Sequence, residues 1–339
     1  MSGDLPGLDL ERLRAHLDAA VPGLVSGPLS GEVVAGGKSN LTYTVTDGTG
    51  RWVVRRPPLG HVLATAHDMP REYRVMTALR DTAVPVPRTH TLCEDTEVLG
   101  APFYVMEHVP GTPFRTSAEI APLGAAGVRS VAEELVTTLG ALHAVVPEEV
   151  GLGDFGRPAG FLERQVRRWG KQLAASRSRD IPGIDELHER LAATLPEQSA
   201  AGIVHGDYRL DNVLVSPEGK LNAVLDWEMA TLGDPLVDLG LMLVYRDQPT
   251  NVGGASAPAT SAEGFPSSSE LVELYTAATG RDVSRLGWYV AFGCFKLAVI
   301  AEGIHLRHSK GLTVGAGFDR IGDMVAPLVR RAHATLKED

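Results

Sequence analysis

Cysteine is nearly missing from this chain. Cys93 and Cys294 are the only two in 339 residues and lie far apart, so neither a disulfide framework nor a thiolate zinc site is expected, and a reducing, cytoplasmic setting follows. Positive charge is also short. Against 42 acidic residues stand 32 Lys and Arg, a formal net charge of −10. That leaves no broad basic surface for nucleic acid or an anionic membrane, although a local basic pocket for phosphate remains compatible with it. No long apolar run is free of charge. The most hydrophobic stretch, Leu286–Leu306, carries Lys296 and Glu302 and reads as a buried amphipathic helix, not a membrane span. The first residues, MSGDLPGLDLERLRAHLDAA, are acidic where a signal peptide needs a basic segment and an apolar core. There is no internal repeat and no heptad run. What remains, 44% hydrophobic and 22% charged, has the balance of a soluble globular chain with material for one large or two modest domains.

The periodicity changes along the chain. Asp9–Ala20 has a helical pattern on Leu10, Leu13 and Leu17. From Gly31 to Val54 come three short runs of β-formers separated by turns, at Glu32–Val34, Thr42–Thr46 and Trp52–Val54, which read as an antiparallel meander. The turn between the first two, Ala35-Gly36-Gly37-Lys38-Ser39-Asn40, invites comparison with a P-loop and fails it. The first glycine of that motif would fall on Glu32, and a strand follows where a helix is required. A glycine turn can still place backbone N–H groups and the Ser39 hydroxyl over a phosphate; otherwise it is a plain hairpin turn. Residues 67–80 are helical, with Glu72 able to face the strand that ends in Arg55-Arg56. Two further runs, Thr89–Cys93 and Pro102–Glu107, bring the strands to five. The breakers in His108-Val109-Pro110-Gly111-Thr112 mark a boundary, giving a first lobe over residues 1–108 and a second over 109–339. The second is mostly helical, with helices expected at 128–143, 161–176, 184–195, 270–279, 283–308 and 318–337. Residues 248–269, rich in Ser, Ala, Gly, Pro and Thr, read as a lid or a passive insertion.

The stretch IVHGDYRLDNVLVSPEGKLNAVLDWEMATLGDPLVDLG (203–240) carries the chemistry. Its apolar runs Val213–Val215 and Ala223–Leu225 read as short strands with SPEGK as the turn, an arrangement that collects Asp207, Asn212 and Asp226 at one end. Two carboxylates and an amide suit a hard cation such as Mg²⁺. The spacing Asp207-x-x-x-x-Asn212 matches the kinase catalytic loop H-R-D-x-x-x-x-N, with His205 in register and Gly206 where the Arg stands. Asp226 follows a strand as the D-F-G Asp does, with Trp227-Glu228 for Phe-Gly. The dull alternatives are that Asp207 caps a turn, that His205 is a structural hydrogen-bonding residue, and that Asp234 and Asp238 brace the loop. His305 and His308, three apart on a helix, read as solvent-facing histidines.

On HGDYRLDNVL and VLDWEMATLGDPLVDLG, supported by GGKSNLTYTV, WVVRRPP, REYRVM, FYVMEHVPG and FKLAVIAEGI, the chain resembles the aminoglycoside phosphotransferase and choline kinase branch of the protein-kinase-like superfamily. Within it, the chain is similar to the subgroup related to the kinase domain attached to some acyl-CoA dehydrogenases. The resemblance implies an α+β, bilobal protein-kinase-like fold: a small antiparallel sheet with one main helix, then a larger helical lobe. It implies an ATP- or GTP-dependent transfer of the γ-phosphoryl group to a small-molecule hydroxyl, with Mg²⁺. Asp207 would be the general base and Asn212 and Asp226 the metal ligands. Gly36, Gly37 and Ser39 would cover the phosphates, Glu107 and Val109 would meet the adenine, and Glu72 would pair with Arg55. Kinases usually have Lys at the Arg55 position, and a guanidinium differs from an ammonium in size and geometry. The acceptor suggested by the subgroup is a hydroxy acid or hydroxyacyl thioester, for which Arg164, Arg167, Arg168 and Lys171 offer cations; on the plain reading those four form a solvated helix face. An antibiotic kinase acting on an aminoglycoside or macrolide, and a nucleotide-binding pseudokinase, are the alternatives. Protein substrates fit poorly without a D-F-G to A-P-E segment, and no G-x-S-x-G points to a serine hydrolase.

Overall fold

The computed structural model describes residues 5–34, 40–59, 68–197, 201–247, 257–312 and 318–338. Gly36, Gly37 and Ser39 lie outside the described residues, as does most of the first half of the 248–269 segment. The chain forms two compact units, one of residues 1–111 with 222–230, the other of 112–221 with 231–339. The first unit therefore ends past the expected boundary at 108/109. It also takes in the segment around Asp226, which local sequence places with the second lobe.

In the first unit, strands β1 (Ser30–Val33), β2 (Leu41–Thr46), β3 (Arg51–Arg56), β4 (Thr89–Cys93) and β5 (Phe103–Glu107) form one antiparallel sheet in the order β1-β2-β3-β5-β4. Helix α1 (Leu10–Ala20) starts at Asp9, whose carboxylate accepts from the N–H groups of Glu11 and Arg12 at 3.0 Å, an N-cap that satisfies two otherwise orphaned donors. Its Leu13 and Leu17 pack with Tyr43, Val45, Trp52, Val54 and Val105 on one face of the sheet. Helix α2 (Met69–Leu79) is capped by Asp68 and turns Glu72, Met76 and Leu79 into the interior, the i, i+4, i+7 spacing of one helix face. Tyr73, one residue further round the helix, is only half-buried.

Strand alternation decides what the two arginines do. Side chains of successive strand residues point to opposite faces, so Arg56 follows Trp52 and Val54 while Arg55 takes the other face. Arg56 is 4% exposed. It donates to the carbonyls of Leu99 at 2.7 Å and of Gly7, tying the start of the chain to the far edge of the sheet. Arg56→Met should keep the buried stem but leave both carbonyls without their donor. A loss of about 1–3 kcal/mol in unfolding free energy is expected, read by urea denaturation. A change under about 0.5 kcal/mol would show that the carbonyls find water instead.

The second unit is built on helices α4 (Ser117–Ile120), α5 (Gly124–Ala144), α6 (Phe161–Ser176), α7 (Ile184–Ala193), α8 (Leu236–Arg246), α9 (Ser268–Thr279), α10 (Leu286–Ser309) and α11 (Val325–Glu338); α3 (Thr96–Leu99) belongs to the first unit. Strands β6 (Gly202–Val204) and β9 (Thr231–Gly233) pair antiparallel, Ile203 opposite Leu232, a ribbon not evident in the sequence. Strands β7 (Val213–Val215) and β8 (Leu221–Val224) form where the two apolar runs lead one to expect them. Residues 318–324 are not α-helical as expected; a 3₁₀ turn at Ile321–Met324 precedes α11.

Among the described residues α10 is the one helix long and apolar enough to cross a membrane, with a mean hydropathy of 1.4, and 78% of that window is buried inside the protein. It packs against α8 and α11. At Gly240 on α8, a Cβ would stand 2.6 Å from the carbonyl carbon of Tyr289 on α10, so only glycine allows this approach. Glu302 of α10 receives Ser178 N–H at 3.1 Å, the Ser178 hydroxyl at 2.7 Å and Arg179 Nε at 3.0 Å. A buried carboxylate persists because it is paired.

Candidate active site

One group of side chains lies in the first unit. Arg55 and Tyr104 are register partners on β3 and β5, so both project toward α2. Arg55 spans two carboxylates, with Nε 3.0 Å from Glu72 Oε2 and Nη2 2.5 Å from Asp226 Oδ1. Tyr104 Oη donates to Glu72 Oε2 at 2.9 Å, and Asn40 Nδ2 donates to Glu72 Oε1 at 3.2 Å. Burial pushes the Glu72 carboxyl up to about 7, against the pull of Arg55 and the Tyr104 hydrogen bond. Arg55 is itself buried, yet Tyr104, Glu72 and Asp226 hold its guanidinium firmly protonated. Asn40 also reaches Glu228 Oε2 at 3.4 Å. Asp226 has φ 66° and ψ 60°, the left-handed region, and is the one non-glycine residue at positive φ among the described residues. A strained backbone of this kind persists where the surroundings over-determine it. Trp227, fully buried and donating to Val224 O at 3.0 Å, and Arg71, donating to Ala230 O at 3.0 and 3.2 Å, fix the segment on either side of it.

The other group lies in the second unit, on the loop from His205 to Asn212. Its backbone is tied at consecutive points. Asp238 of α8, fully buried, accepts from the N–H of His205 at 2.7 Å and of Gly206 at 2.8 Å. Lys296 of α10 donates to Gly206 O at 2.6 Å. Asp207 N–H donates to His205 Nδ1 at 3.2 Å, and Asn212 Nδ2 donates to Asp207 O at 2.9 Å. The Asp207 carboxylate is held from both sides, by Asn212 Nδ2 on Oδ2 at 3.1 Å and by Tyr245 Oη on Oδ1 at 2.5 Å. Gly206, at φ 87°, supplies a conformation that other residues resist. Asp234 accepts from Leu236 N–H at 3.1 Å and from Tyr289 Oη at 2.8 Å. Asp238 thus braces the loop, whereas these contacts of Asp234 hold the start of α8 to α10. Burial would raise the Asp238 carboxyl, but the hydrogen bonds it accepts from His143 and from the Gly206 N–H help to outweigh it and leave it below the ordinary range.

Beneath the loop, His143 sits between Tyr275 Oη, 2.7 Å from Nδ1, and Asp238 Oδ2, 3.4 Å from Nε2. A neutral ring protonated on Nε2 satisfies both contacts. Burial lowers its proton affinity below the ordinary value of 6.5, with Asp238 acting in the opposite sense. A base whose folded pKa is depressed contributes stability above its unfolded value and loses it as pH falls below that value. The Tm of the protein should therefore drop as pH is lowered from about 7 to 5, and His143→Gln should drop less over that interval in differential scanning calorimetry. Equal drops would assign the acid sensitivity to other groups.

Of the residues expected to act, Asp207 and Asn212 are in mutual contact, as are Arg55, Glu72 and Asp226. Glu107 ends β5, where its carboxylate accepts from Arg88 N–H at 2.9 Å; Val109 is half-buried just beyond. Asn40, Tyr104 and Tyr245 carry no motif that marks them as site residues, whereas Lys296, a lone lysine in an apolar helix, signals a buried charge in need of a partner. Among the described residues no cluster of three or more His, Cys, Asp or Glu side chains is arranged to hold a metal. The amide oxygen of Asn212 in the second unit and a carboxylate oxygen of Asp226 in the first are each a hard donor of the kind Mg²⁺ accepts.

The five-stranded antiparallel sheet with its single helix against Arg55, the H-G-D-x-x-x-x-N loop and the largely helical second unit define a bilobal, kinase-like phosphotransferase fold of the α+β class. The chain belongs to the phosphotransferase enzyme family abbreviated APH, whose profile matches residues 30–271. It is 36% identical over 297 residues to human acyl-CoA dehydrogenase family member 11, covering 86% of this chain and 38% of that protein. The chain thus spans well under half the length of that relative. A Ralstonia eutropha JMP134 structure provisionally described as an aminoglycoside phosphotransferase is 34% identical, with a TM-score of 0.85 over 97% of this chain and 98% of the other. A ternary complex of a thermostable mutant of aminoglycoside phosphotransferase APH(4)-Ia with ADP and hygromycin B shares the fold, at 16% identity and a TM-score of 0.60, over 96% of this chain and 97% of the other.

Proposed function

We propose that the protein moves the γ-phosphoryl group of ATP or GTP to the hydroxyl of a small molecule in the cytoplasm, and that the acceptor is a hydroxy acid or a hydroxyacyl thioester. The observation that carries this is the Asp207 carboxylate, held by Asn212 and Tyr245 on a loop whose backbone is tied to two core helices. A carboxylate fixed in this way is prepared to accept the acceptor's proton as general base, while positioning and charge neutralisation supply most of the rate. Asn212 and Asp226 are each proposed as a Mg²⁺ ligand. The two Asn212 Nδ2 contacts leave its amide oxygen available, and one Asp226 oxygen lies opposite the one Arg55 engages. When bound, Mg²⁺ neutralises charge on the nucleotide phosphates. Arg55, oriented by Glu72, is proposed to reach a phosphate oxygen in the place of the usual lysine; its fork can serve carboxylate and phosphate together. Gly36, Gly37 and Ser39 are proposed over the phosphates, and Glu107 and Val109 beside the base.

An anionic acceptor is favoured by α6, where Arg164, Arg167, Arg168 and Lys171 line one open groove in a chain whose net charge is −10. The relatedness to acyl-CoA dehydrogenase family member 11 supports the same choice, and the likeness to APH(4)-Ia supports an antibiotic acceptor. A panel of hydroxylated metabolites, acyl thioesters, aminoglycosides and macrolides, incubated with labelled ATP and read by gain of one phosphoryl group, tests the reading. Transfer confined to antibiotics sinks the anionic acceptor. Tight Mg-ATP binding with transfer to nothing identifies a pseudokinase.

A further inference from the structure

Lys296 of α10 is 8% exposed and has no carboxylate within ion-pair distance among the described residues. Taking an ammonium out of water is costly unless charge or hydrogen bonds make up for it. The two carboxylates that act on it, Asp207 and Asp238, have their oxygens engaged elsewhere. Asp207 is held by Asn212 and Tyr245, Asp238 by His143 and the N–H groups of His205 and Gly206. What Lys296 does touch is the Gly206 carbonyl, at 2.6 Å, and the Trp169 ring of α6, whose centre lies 5.6 Å from Nζ. The ring offsets part of the lost hydration. A neutral donor would satisfy the carbonyl at lower cost, so the hydrogen bond alone does not account for a charge here.

That carbonyl belongs to the peptide that joins Gly206 to Asp207. At the other end of the same peptide, Asp207 N–H donates to His205 Nδ1 at 3.2 Å. Gly206 stands at φ 87°, and a glycine leaves its peptide freer to turn than a residue with a Cβ does. A turn of this one peptide would re-aim the Asp207 side chain. An ammonium holds a carbonyl roughly twice as strongly as a neutral donor, so the charge opposes that turn where the sequence otherwise permits it. Burial lowers the proton affinity of Lys296 from the ordinary 10.5, Asp207 and Asp238 act to raise it, and Arg168 of α6 works with burial.

We propose that Lys296 acts in phosphoryl transfer as a positioning residue, whose charge fixes the Gly206–Asp207 peptide and so the direction of the Asp207 carboxylate. The inference rests on the phosphotransferase reading and adds a condition to it. The loop is fully set only while Lys296 is protonated, so transfer weakens at high pH in a protein that is still folded.

Turnover of labelled Mg-ATP with the best acceptor of the panel, measured across pH for the wild type, Lys296→Gln and Lys296→Arg, provides the test. Lys296→Gln keeps a donor for the carbonyl and drops the charge. It should lower kcat by about 10- to 100-fold, the scale on which misplacing a reacting group by an ångström acts, with the KM for Mg-ATP within about twofold of the wild type. Lys296→Arg should recover most of the loss. The wild-type kcat should fall as pH rises, at a pH below the ordinary lysine value of 10.5, while far-UV circular dichroism stays unchanged. That fall should be missing from Lys296→Arg, whose guanidinium keeps its charge. The wild-type pH series decides the matter even where a variant does not fold: a kcat that stays level up to 10.5 overturns the role of Lys296. So does Lys296→Gln with wild-type kcat, or an alkaline fall that Lys296→Arg shares, and each of these leaves the phosphotransferase reading standing. No transfer by the wild type to any acceptor removes that reading, and the positioning role with it.

Discussion

Asp207→Asn is expected to lower phosphoryl transfer by roughly 10²–10⁴-fold, the usual contribution of a general base, while leaving the fold and nucleotide binding in place. The amide is the same size as the carboxylate. Its oxygen can take the donor from Asn212 or Tyr245 that the carboxylate now takes, so little packing changes. What is lost is the capacity to accept a proton. Turnover with labelled ATP and the best acceptor, beside calorimetric titration of Mg-ATP, separates the two effects. Retention of more than about a tenth of wild-type turnover would remove Asp207 from the role of base. Loss of nucleotide binding in parallel would assign it to holding the phosphates instead.

The second large effect concerns stability. Asp238→Ala is expected to cost about 3–5 kcal/mol, because it strips a fully buried set of donors of their shared acceptor. The N–H groups of His205 and Gly206 and the ring of His143 all converge on this carboxylate, and with burial complete, water has no route to replace it. For a unit of this size the corresponding fall in Tm is on the order of 10 °C. Asp238→Asn should fall between the wild type and the alanine variant, since its amide oxygen can still serve one N–H. Scanning calorimetry on the three proteins checks the order. An alanine variant within about 1 kcal/mol of the wild type would mean that the loop finds other acceptors.

Much of this was readable in the chain. The five strands and α2 follow from alternation and 3.6-residue spacing, because each element buries one face and shows it in its sequence. The contact of Asp207 with Asn212 is also local, being set by a five-residue interval. Local pattern could not divide Arg55 from Arg56 by role until β3 was placed in its sheet, where alternation sends one to Glu72 and the other to the carbonyls of Gly7 and Leu99. Tyr245 and Lys296 meet the 205–212 loop from 38 and 90 residues away. In sequence they are the last aromatic of an apolar helix and a charge inside another, and neither carries a motif. The membership of residues 222–230 in the first unit is similarly tertiary, with Arg71 holding Ala230 and Arg55 holding Asp226. The glycine turn at 36–39 is the opposite case, plain in sequence and outside the described residues.

The tethering of Gly206 has a kinetic meaning. With its N–H held by α8 and its carbonyl by α10, the loop has no independent way to loosen; to open it, two core helices must part. Heat should therefore not produce a folded but inactive intermediate of this unit. Loss of transfer and loss of its helical core belong to one event, so that inactivation and unfolding follow a single curve.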